Sequence, residues 1–367
     1  MRNIKKLSRT FQLFFIIFSI IILSSCKSEV KDISEINIEW DISETTVFSP
    51  QNDGKGAFYP RMLISNNKDW LIAYDTNDNG KNTVCQISRS RDEGLNWETL
   101  SVASFGRGDC ANAQMIQLEN DDILLAYRQV DGDTKTLKLS KSSDFGENWE
   151  EYGIISQATM TDFRGVWEPH MDFLPDGKLA VMYASEIYQP YFPQVIEMKV
   201  SPDMGKTWGE PIRISDCDTS RDGMPVWTVT ESNEVVVVFE ATDDPSGKKP
   251  FIIRGKISPD GYNWDTERML IYSPDNIPAR AAAPYIIKSS KNHLVVSSQV
   301  DDVPDHYDMH ILLSYDGKTW HKTNSAFTGV NSLWNSLYPL DDNRIIALTC
   351  VNQNNKTYIW IKKGLIS

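Results

Sequence analysis

The stretch "SSDFGENW" at 142–149 places a serine, an aspartate, a glycine and a tryptophan at fixed spacings, and near-copies of it recur along the chain. Two copies have the same length, "SRDEGLNW" at 90–97 and "SPDMGKTW" at 201–208, and two are one residue shorter, "SPDGYNW" at 258–264 and "SYDGKTW" at 314–320. The leading serines are separated by 52, 59, 57 and 56 residues. A period near 50 residues, with several strands in each unit, is typical of a β-propeller.

Each repeat unit contains four short apolar segments separated by turn residues, which predicts one four-stranded antiparallel blade. The inner pair of segments occurs six times, but the sixth unit ends at "KTYIWIKKG" without a fourth strand. The segment "IEWDISETTVFS" at 38–49 resembles the outer strands, and its Trp40 falls where the repeated tryptophan falls. We therefore predict an all-β fold, a six-bladed propeller over 38–367, whose last blade is completed by the N-terminal strand.

The repeated stretch is interpreted as a structural turn. Asp92, Asp144 and Asp203 can accept hydrogen bonds from backbone N–H groups, and the glycine two residues later in each copy can take a positive φ. Five copies around a ring would face five directions, whereas catalytic groups have to converge. The stretch is similar to the Asp-box, or bacterial neuraminidase repeat, of sialidase-like six-bladed propellers, and the resemblance covers essentially the whole mature chain.

The N-terminus predicts export. The basic start "MRNIKKLSR" is followed by the apolar run "FQLFFIIFSIIIL", which together read as a signal peptide over 1–25. The next letters, "LSSC", resemble the lipobox of bacterial lipoproteins, which implies lipidation of Cys26 with 26–37 as lipidated cysteine and tether. This resemblance implies an outer-membrane lipoprotein facing the periplasm or the cell surface. An uncleaved signal anchor or an ordinary exported protein is the alternative.

The charge of the chain excludes some partners. Residues 1 to 25 hold 4 of the 37 basic residues and none of the 50 acidic ones, so the mature chain has a net charge of −17. Such an acidic surface argues against binding to nucleic acid or to anionic lipid headgroups. Attachment to a membrane would therefore come from the lipid anchor, and we expect a monomer whose partner is a carbohydrate.

Neither the cysteines nor the histidines predict a metal site or a cofactor. Beyond Cys26 the cysteines are widely spread and have no paired metal-ligand spacing. In "HYDMH", His306 and His310 are four apart, but the segment lies among strands, where that spacing does not place both on one face. We predict no metal, no cofactor and no cysteine chemistry.

Propeller topology predicts the position of the functional site. The innermost strand of each blade starts at one mouth of the central channel, and the second strand ends at the same mouth, so residues at these places should meet. They are rich in carboxylates, guanidiniums, amides and aromatic rings, which suits a carbohydrate. The predicted site residues are Tyr59, Arg61, Asp75, Asn112, Arg128, Glu168, Glu186, Arg221, Met224, Glu240, Arg280, Gln299, Asp301, Asn331, Trp334 and Asn335.

Glu168 and Glu240 are the best candidates for a catalytic pair. Glu168 lies in "VWEPHM", where Pro169 fixes the backbone after it, and Glu240 ends the apolar strand "VVVVFE". Two carboxylates at one mouth are suited to hydrolysis of a glycosidic bond. Composition and spacing alone favour the alternative that each is a solvated glutamate at the end of a strand.

A second resemblance concerns these two segments. "WEPHMDFLPDGKLAVMYASE" and "RDGMPVWTVTESNEVVVVFE" resemble the paired motifs of the exo-α-1,5-L-arabinanase family of glycoside hydrolases. That family releases arabinobiose from arabinan with retention on a six-bladed sialidase-like propeller, and its two catalytic glutamates fall on Glu168 and Glu240. Asp222 stands where the family usually has proline, and His170 stands where an apolar residue is commoner.

The resemblance implies exo-acting hydrolysis of α-L-arabinofuranosyl linkages by a retaining mechanism. Such a mechanism needs one glutamate ionised as nucleophile and the other protonated as acid/base. Because Asp243 and Asp244 follow Glu240 closely, we expect them to raise the pKa of Glu240. This expectation favours Glu240 as acid/base and Glu168 as nucleophile.

Two alternatives remain at the level of sequence. An exo-α-sialidase would clamp a substrate carboxylate with three arginines and attack with a tyrosine, and Arg61, Arg221, Arg280 and Tyr338 are the residues available for this. A non-catalytic, glycan-binding lipoprotein would keep the fold without the chemistry.

Overall fold

The computed structural model describes residues 32–50, 56–77, 82–160, 162, 164–244, 246, 248–276, 278–303 and 306–367. The predicted signal peptide and Cys26 lie outside the described residues. Residues 33–367 form one compact unit. Within the described ranges, no helix has the length and apolar character needed to cross a membrane.

Six antiparallel sheets are arranged as the blades of a propeller, and their first strands contact one another in a closed cycle. A 3₁₀ helix at Ile33–Glu35 precedes them. Blades 1 to 3 each consist of four consecutive strands, numbered from the channel outwards. These are β3 Ala57–Ile64, β4 Trp70–Thr76, β5 Val84–Ser90 and β6 Glu98–Val102; β7 Asp109–Gln117, β8 Ile123–Asp131, β9 Thr134–Ser142 and β10 Glu150–Thr159; β11 Val166–Phe173, β12 Leu179–Ser185, β13 Val195–Ser201 and β14 Ile212–Ser215.

Blades 4 and 5 follow the same order, and blade 6 takes its outer strand from the N-terminus. The six-bladed all-β fold predicted from the repeat is thereby confirmed. The strands are β15 Asp222–Val229, β16 Val235–Ala241, β17 Ile252–Ser258 and β18 Met269–Tyr272; β19 Ala281–Lys288, β20 Leu294–Val303, β21 His306–Ser314 and β22 His321–Thr323; β23 Ser332–Pro339, β24 Arg344–Gln353 and β25 Lys356–Ile366, with β1 Ile38–Trp40 and β2 Thr45–Phe48 outermost.

The ring is closed as the sequence predicts. Both β1 and β2 pair with β25 in antiparallel register, Trp40 opposite Gly364 and Thr45 opposite Ile361. The indole of Trp40 bonds differently from the tryptophans of the repeated turns, since its Nε1 donates to the backbone oxygen of Asn324 at 3.3 Å. The N-terminal strand is therefore attached both to blade 6 and to the end of blade 5.

Most of the hydrophobic core lies between neighbouring blades, where the faces of two sheets meet. Leu124 and Leu139 of blade 2, for example, pack with Leu179 and Val181 of blade 3, and all four side chains are buried. Strands covered on both faces read as continuous apolar runs. This arrangement explains why the second strand of each blade is so apolar.

The repeated stretch forms a turn between the third and fourth strands of blades 1 to 5. In the second copy, Gly146 N donates to Ser142 Oγ at 2.8 Å and Asn148 N donates to Asp144 Oδ1 at 2.8 Å. Gly146 has a φ of 88°, and Trp149 Nε1 donates to its carbonyl at 3.1 Å. The other four copies repeat the serine, aspartate and glycine contacts. Its interpretation as a structural turn is confirmed.

The central channel has two different ends. We call the end at which the six innermost strands start the upper mouth, and the end at which they finish the lower mouth. Since strands alternate in direction within a blade, the repeated turns lie on the lower face. The predicted site residues are at the upper mouth, on the opposite side of the molecule from the repeated turns.

Candidate active site

Each innermost strand has a β-bulge near its start, at the upper mouth. In blade 1, for instance, the pairing of β3 with β4 shifts between Phe58 and Arg61. The bulged residue in every blade has a positive φ, which side chains other than glycine adopt only at a cost. The bulged residues are Tyr59, Asn112, Glu168, Met224, Ala283 and Trp334, with φ between 45° and 61°.

The backbone N–H of the bulged residue is used to hold a side chain from the preceding blade. This contact occurs at four of the blade junctions. The donor and acceptor atoms are Asn112 N and Asp75 Oδ2 at 2.8 Å, Met224 N and Glu168 Oε2 at 3.4 Å, Ala283 N and Glu240 Oε2 at 3.0 Å, and Trp334 N and Gln299 Oε1 at 2.8 Å. Three carboxylates at the upper mouth therefore each have one oxygen held by the backbone of the next blade.

Glu168 is partly exposed and has an unusually basic carboxylate. Burial, followed by the nearby negative charge of Glu240, raises its pKa to about 7, although Arg221, Arg128 and the N–H of Met224 act in the opposite direction. Glu168 Oε2 accepts the N–H of Met224, and the preceding residue, Gly223, pairs with Glu240 in the sheet, so the two glutamates are neighbours across the junction of blades 3 and 4. A carboxyl that titrates near neutral pH can exchange a proton during catalysis.

Glu240 has a different environment. Its side chain is buried, with 6% of the residue exposed, and its Oε1 lies 3.4 Å from Arg221 Nη1 while Oε2 accepts the N–H of Ala283. The guanidinium of Arg221 lies 5.3 Å from the ring of Phe251, which supports it from the other side. The guanidinium and the backbone N–H thus each hold one oxygen of this carboxyl in place.

The side chains of Asp243 and Asp244, which follow Glu240 closely in sequence, are engaged by other groups. Asp243 pairs with Arg254 and with Arg268 Nη2, the latter at 3.1 Å. Burial acts to raise the pKa of Asp243, but these two arginines outweigh it and lower the pKa. The hydroxyl and N–H of Ser246, with other backbone N–H groups, lower the pKa of Asp244 to about 2. The contacts of Asp243 and Asp244 therefore add no support to Glu240 as the acid/base, and that assignment stays a prediction.

Asp75 is a third acidic group at the same mouth. Burial raises its pKa to about 7, and the N–H of Asn112 and the charge of Arg128 reduce this effect. The guanidinium of Arg128 lies 5.1 Å from the ring of Trp167, and its buried Nε has no hydrogen-bond partner among the described residues. The upper mouth thus contains three carboxylates and an arginine with free donor capacity, side by side.

The floor of the upper mouth is closed. The bulged residues Tyr59, Met224 and Ala283 are buried and pack together, with Trp334 against them. Beneath them Arg61, which is 2% exposed, stacks on the Tyr59 ring at 3.8 Å and donates to the carbonyls of Pro60 and Trp334 at 2.8 and 3.3 Å. Arg61 therefore lies under the floor and does not face the mouth.

The side chains needed for a sialidase do not converge. Arg61 lies under the floor, Arg221 faces Glu240, and Arg280 is bound on the rim to Asp301, with 2.8 Å between Nε and Oδ2. Tyr338 lines a cavity of about 260 Å³ at the lower mouth, at the other end of the channel. These positions do not form a three-arginine clamp beside a tyrosine nucleophile.

Another cavity lies well away from the acidic cluster. It has a volume of about 740 Å³ and lies on the lower face beside the third repeated turn, where Tyr152 and Phe173 line it. None of the predicted site residues lines it. The upper mouth, where three carboxylates converge, remains the candidate active site.

Two details of the mouth were missed by sequence reasoning. The position in blade 3 that corresponds to Asp75 and Glu240 is Ala184, which pairs with Trp167, whereas Glu186 lies two residues further on. Glu186 Oε2 instead accepts a hydrogen bond from Trp167 Nε1 at 2.7 Å. Trp167 is thus a central part of the site, and the only signal in the sequence was its place beside the candidate glutamate.

No family model and no curated protein matches this sequence. Solved structures do match the fold. The α-L-arabinofuranosidase of Fusarium graminearum, in complex with an iminosugar inhibitor, has 17% identity and a TM-score of 0.71 over 88% of this chain and 97% of that chain. The α-L-arabinanase of Penicillium chrysogenum, complexed with arabinobiose, has 20% identity and a TM-score of 0.70 over 87% and 97%.

A protein of unknown function from Dyadobacter fermentans matches equally well, with 14% identity and a TM-score of 0.71 over 90% of this chain and 100% of that chain. At such identities the likeness shows that the chains share a fold. The whole length of these structures is matched, so the predicted relationship to arabinanase-like propellers holds for the architecture of the complete domain.

Proposed function

We propose that this protein is a glycoside hydrolase acting on α-L-arabinofuranosyl linkages of an arabinan-like polysaccharide, from a chain end and with retention of configuration. The observation that carries the proposal is the pair Glu168 and Glu240 at one mouth. The pKa of Glu168 is raised to about 7, and Glu240 is held beside it by the guanidinium of Arg221 and the N–H of Ala283. Retaining hydrolysis requires one ionised and one protonated carboxyl.

The choice of sugar is supported by the solved structures that share this fold and by the motifs around the two glutamates. The Fusarium and Penicillium proteins were solved with an iminosugar inhibitor and with arabinobiose. The upper mouth offers the aromatic ring of Trp167 and the donors of Arg128, which suit a neutral furanose with several hydroxyls.

The reaction follows from the chain's own residues. One glutamate attacks the anomeric carbon, and the other protonates the leaving oxygen as the glycosidic bond breaks. The resulting glycosyl ester is then hydrolysed by water, which gives up its proton to the second carboxyl. The backbone N–H groups of Met224 and Ala283 fix the two carboxylates, so that little reorganisation is needed.

The test is digestion of linear α-1,5-arabinan followed by product analysis, with Glu168→Gln and Glu240→Gln as variants. We expect wild-type protein to release short arabino-oligosaccharides from chain ends, and each variant to lose activity by about 10³-fold or more. Glu119→Gln, an exposed glutamate on the lower face, is the matched control. Absence of release from arabinan, or wild-type rates in both variants, would contradict the proposal.

The separate roles of the two glutamates are assigned by azide rescue in alanine variants at the same positions. Azide in place of the nucleophile gives a glycosyl azide of inverted configuration, and azide beside the intact nucleophile gives one of retained configuration. We expect the inverted azide from one of the two variants and the retained azide from the other. Inverted azide from both variants would show that neither is the acid/base.

The cellular location is part of the proposal. We propose that residues 1–25 are removed and that Cys26 is lipidated, which would hold the propeller at the outer membrane through the segment 26–37. The test is the replacement of Cys26 by serine, which removes the thiol that would carry the lipid. Metabolic labelling with a fatty-acid analogue should label wild type and not that variant.

A further inference from the structure

The loop 186–194 of blade 3 runs along the rim of the upper mouth between the neighbours of the two glutamates. At its start Glu186 accepts the indole N–H of Trp167, which precedes the first glutamate in sequence. At its end Gln194 forms a β-bridge with Arg221, the partner of the second glutamate. The loop is therefore continuous with the candidate active site at both of its ends.

The inner side of this loop is attached to the outer strands of blade 3. The guanidinium of Arg213 lies 4.1 Å from the ring centre of Tyr188 and 5.5 Å from that of Phe192. The hydroxyl of Tyr188 donates to Glu197 Oε1 at 2.5 Å, and Gln189 Nε2 donates to a carbonyl within the loop. Two of the three aromatic rings of the loop thus serve to fix its position.

The third aromatic ring has no such role. Tyr191 is 81% exposed, and no other aromatic side chain among the described residues is as exposed. Its N–H donates to the carbonyl of Tyr188 at 3.1 Å, which holds its backbone in place. Ile187, which is 38% exposed, lies in the same loop. The ring is therefore held outward on an anchored loop whose two ends contact Trp167 and Arg221, where it is available to a ligand bound at the upper mouth.

We propose that Tyr191 is a stacking platform for the part of a neutral polysaccharide chain that lies outside the catalytic pocket. The proposal rests on the proposed function for the identity of the polymer. The pocket has a closed floor, so a chain whose end is bound there must leave over the rim. The ends of the loop contact Trp167 and Arg221, which neighbour the two glutamates. A tyrosine ring can cover the apolar C–H face of a sugar unit while its hydroxyl stays in water.

Such a platform acts on long substrates and much less on short ones. A stacked aromatic ring contributes a factor of about 3 to 10 in affinity. This gain is available to a polymer that extends from the pocket to the loop, whereas a trisaccharide that fills only the pocket does not reach it. The expected signature is therefore a change in the preference for polymer over trisaccharide.

The first experiment compares kcat/KM for long linear arabinan with kcat/KM for arabinotriose. In Tyr191→Ala we expect the ratio of the two to fall about 3- to 10-fold, mainly through KM for the polymer, and Tyr191→Trp should restore it. Tyr315→Ala is the matched control, because Tyr315 is 43% exposed and belongs to the fifth repeated turn on the lower face. An unchanged ratio in Tyr191→Ala would overturn the proposal.

The second experiment measures binding without turnover, so that failure of the proposed activity can be separated from failure of the platform. The Glu240→Gln protein, with and without Tyr191→Ala, is run by affinity electrophoresis through gels containing linear arabinan or other neutral plant polysaccharides. Retardation that is lost with Tyr191→Ala supports the platform even if no polymer is cleaved. Equal retardation of both proteins in every gel, or none for the parent, overturns it.

The same proteins are examined by size-exclusion chromatography with light scattering. A monomer in both cases is expected. If the Glu240→Gln protein were a dimer and the form that also carries Tyr191→Ala were a monomer, Tyr191 would lie in an interface between two copies of this chain. That result would overturn the platform.

Discussion

At the scale of single residues, the raised pKa of Glu168 predicts how kcat/KM depends on pH. The pKa of Glu168 is raised to about 7 by burial and by Glu240, so its carboxyl is protonated below that pH and loses its proton above it. Retaining hydrolysis needs one protonated and one ionised carboxyl, so the active form is depleted as the pH rises through the pKa of Glu168. We therefore expect kcat/KM to fall towards tenfold per pH unit on the alkaline side.

The measurement is a profile of kcat/KM from pH 4 to 9, with circular dichroism at each pH as a control for unfolding. Arg221 lowers the pKa of Glu168, so Arg221→Gln should move the alkaline limb to higher pH while it reduces the rate. A profile that is flat between pH 6 and pH 9 would show that neither glutamate supplies the proton.

Single residues also show where sequence reasoning stops. Asp222 stands in place of a family proline, and it is buried and accepts hydrogen bonds from Ser220 Oγ at 2.7 Å and Arg268 Nη2 at 2.6 Å. The arginine comes from a strand connection 46 residues away, so no local pattern indicates the contact. His170 packs against Tyr285, and burial lowers its pKa to about 3, which keeps it neutral where an apolar residue is commoner.

At the scale of elements, the six bulges suggest a test of the strained backbone. Ala283 has a φ of 48° and holds Glu240 through its N–H, while its neighbour Ala282 does not have a positive φ. Glycine relieves strain at the first position and weakens a strand at the second. Ala283→Gly should therefore be about 1 to 2 kcal/mol more stable than Ala282→Gly.

Both alanines are buried, so the loss of a methyl group affects the two variants alike. The difference between their free energies of unfolding therefore reports the backbone strain. Urea unfolding of the two variants gives that difference. Glu240 should keep its partner in both proteins, and activity should remain close to wild type in Ala283→Gly. Equal free energies of unfolding would mean that the bulge is not strained.

The strands themselves were predictable, and the bulges were not. Alternating and continuous apolar runs, ended by turn residues, indicated which residues reach the upper mouth, and Asp75, Arg128 and Glu240 were found in this way. A bulge has no comparable signal, because its positive φ falls on tyrosine, glutamate or tryptophan instead of glycine. The selection of Glu186 has another origin: β12 ends at Ser185 and the residue opposite Trp167 is Ala184, a register that the sequence does not reveal.

At the scale of the whole molecule, the ring depends on its N-terminal segment. Ile38 N donates to Asn324 Oδ1 at 2.8 Å, and Asn324 Nδ2 donates to Ile38 O at 2.6 Å. The 11-residue strand β25 has β1 and β2 as its outer partners. The same segment buries Ile36, Val47 and Phe48. A chain that lost it would expose a long strand edge and an apolar face together.

We predict that removal of residues 1–49 prevents cooperative folding, whereas removal of residues 1–31 does not. Four apolar side chains of the segment are buried, namely those of Ile36, Ile38, Val47 and Phe48, and burial of each contributes about 1.5 to 3 kcal/mol. Their sum is comparable to the whole stability of an ordinary domain, about 5 to 15 kcal/mol. Thermal unfolding followed by circular dichroism compares the two truncated proteins.

The shorter truncation should melt in one transition close to wild type, and the longer one should show a broad transition or aggregate. A synthetic peptide of residues 32–50 added to the longer truncation should restore a single transition, because the missing strands can pair with β25 from solution. This rescue separates loss of closure from general damage to the chain. If both truncations melted alike, the ring would be held by contacts between its inner strands, and the N-terminal strands would be an addition to a fold that is already closed.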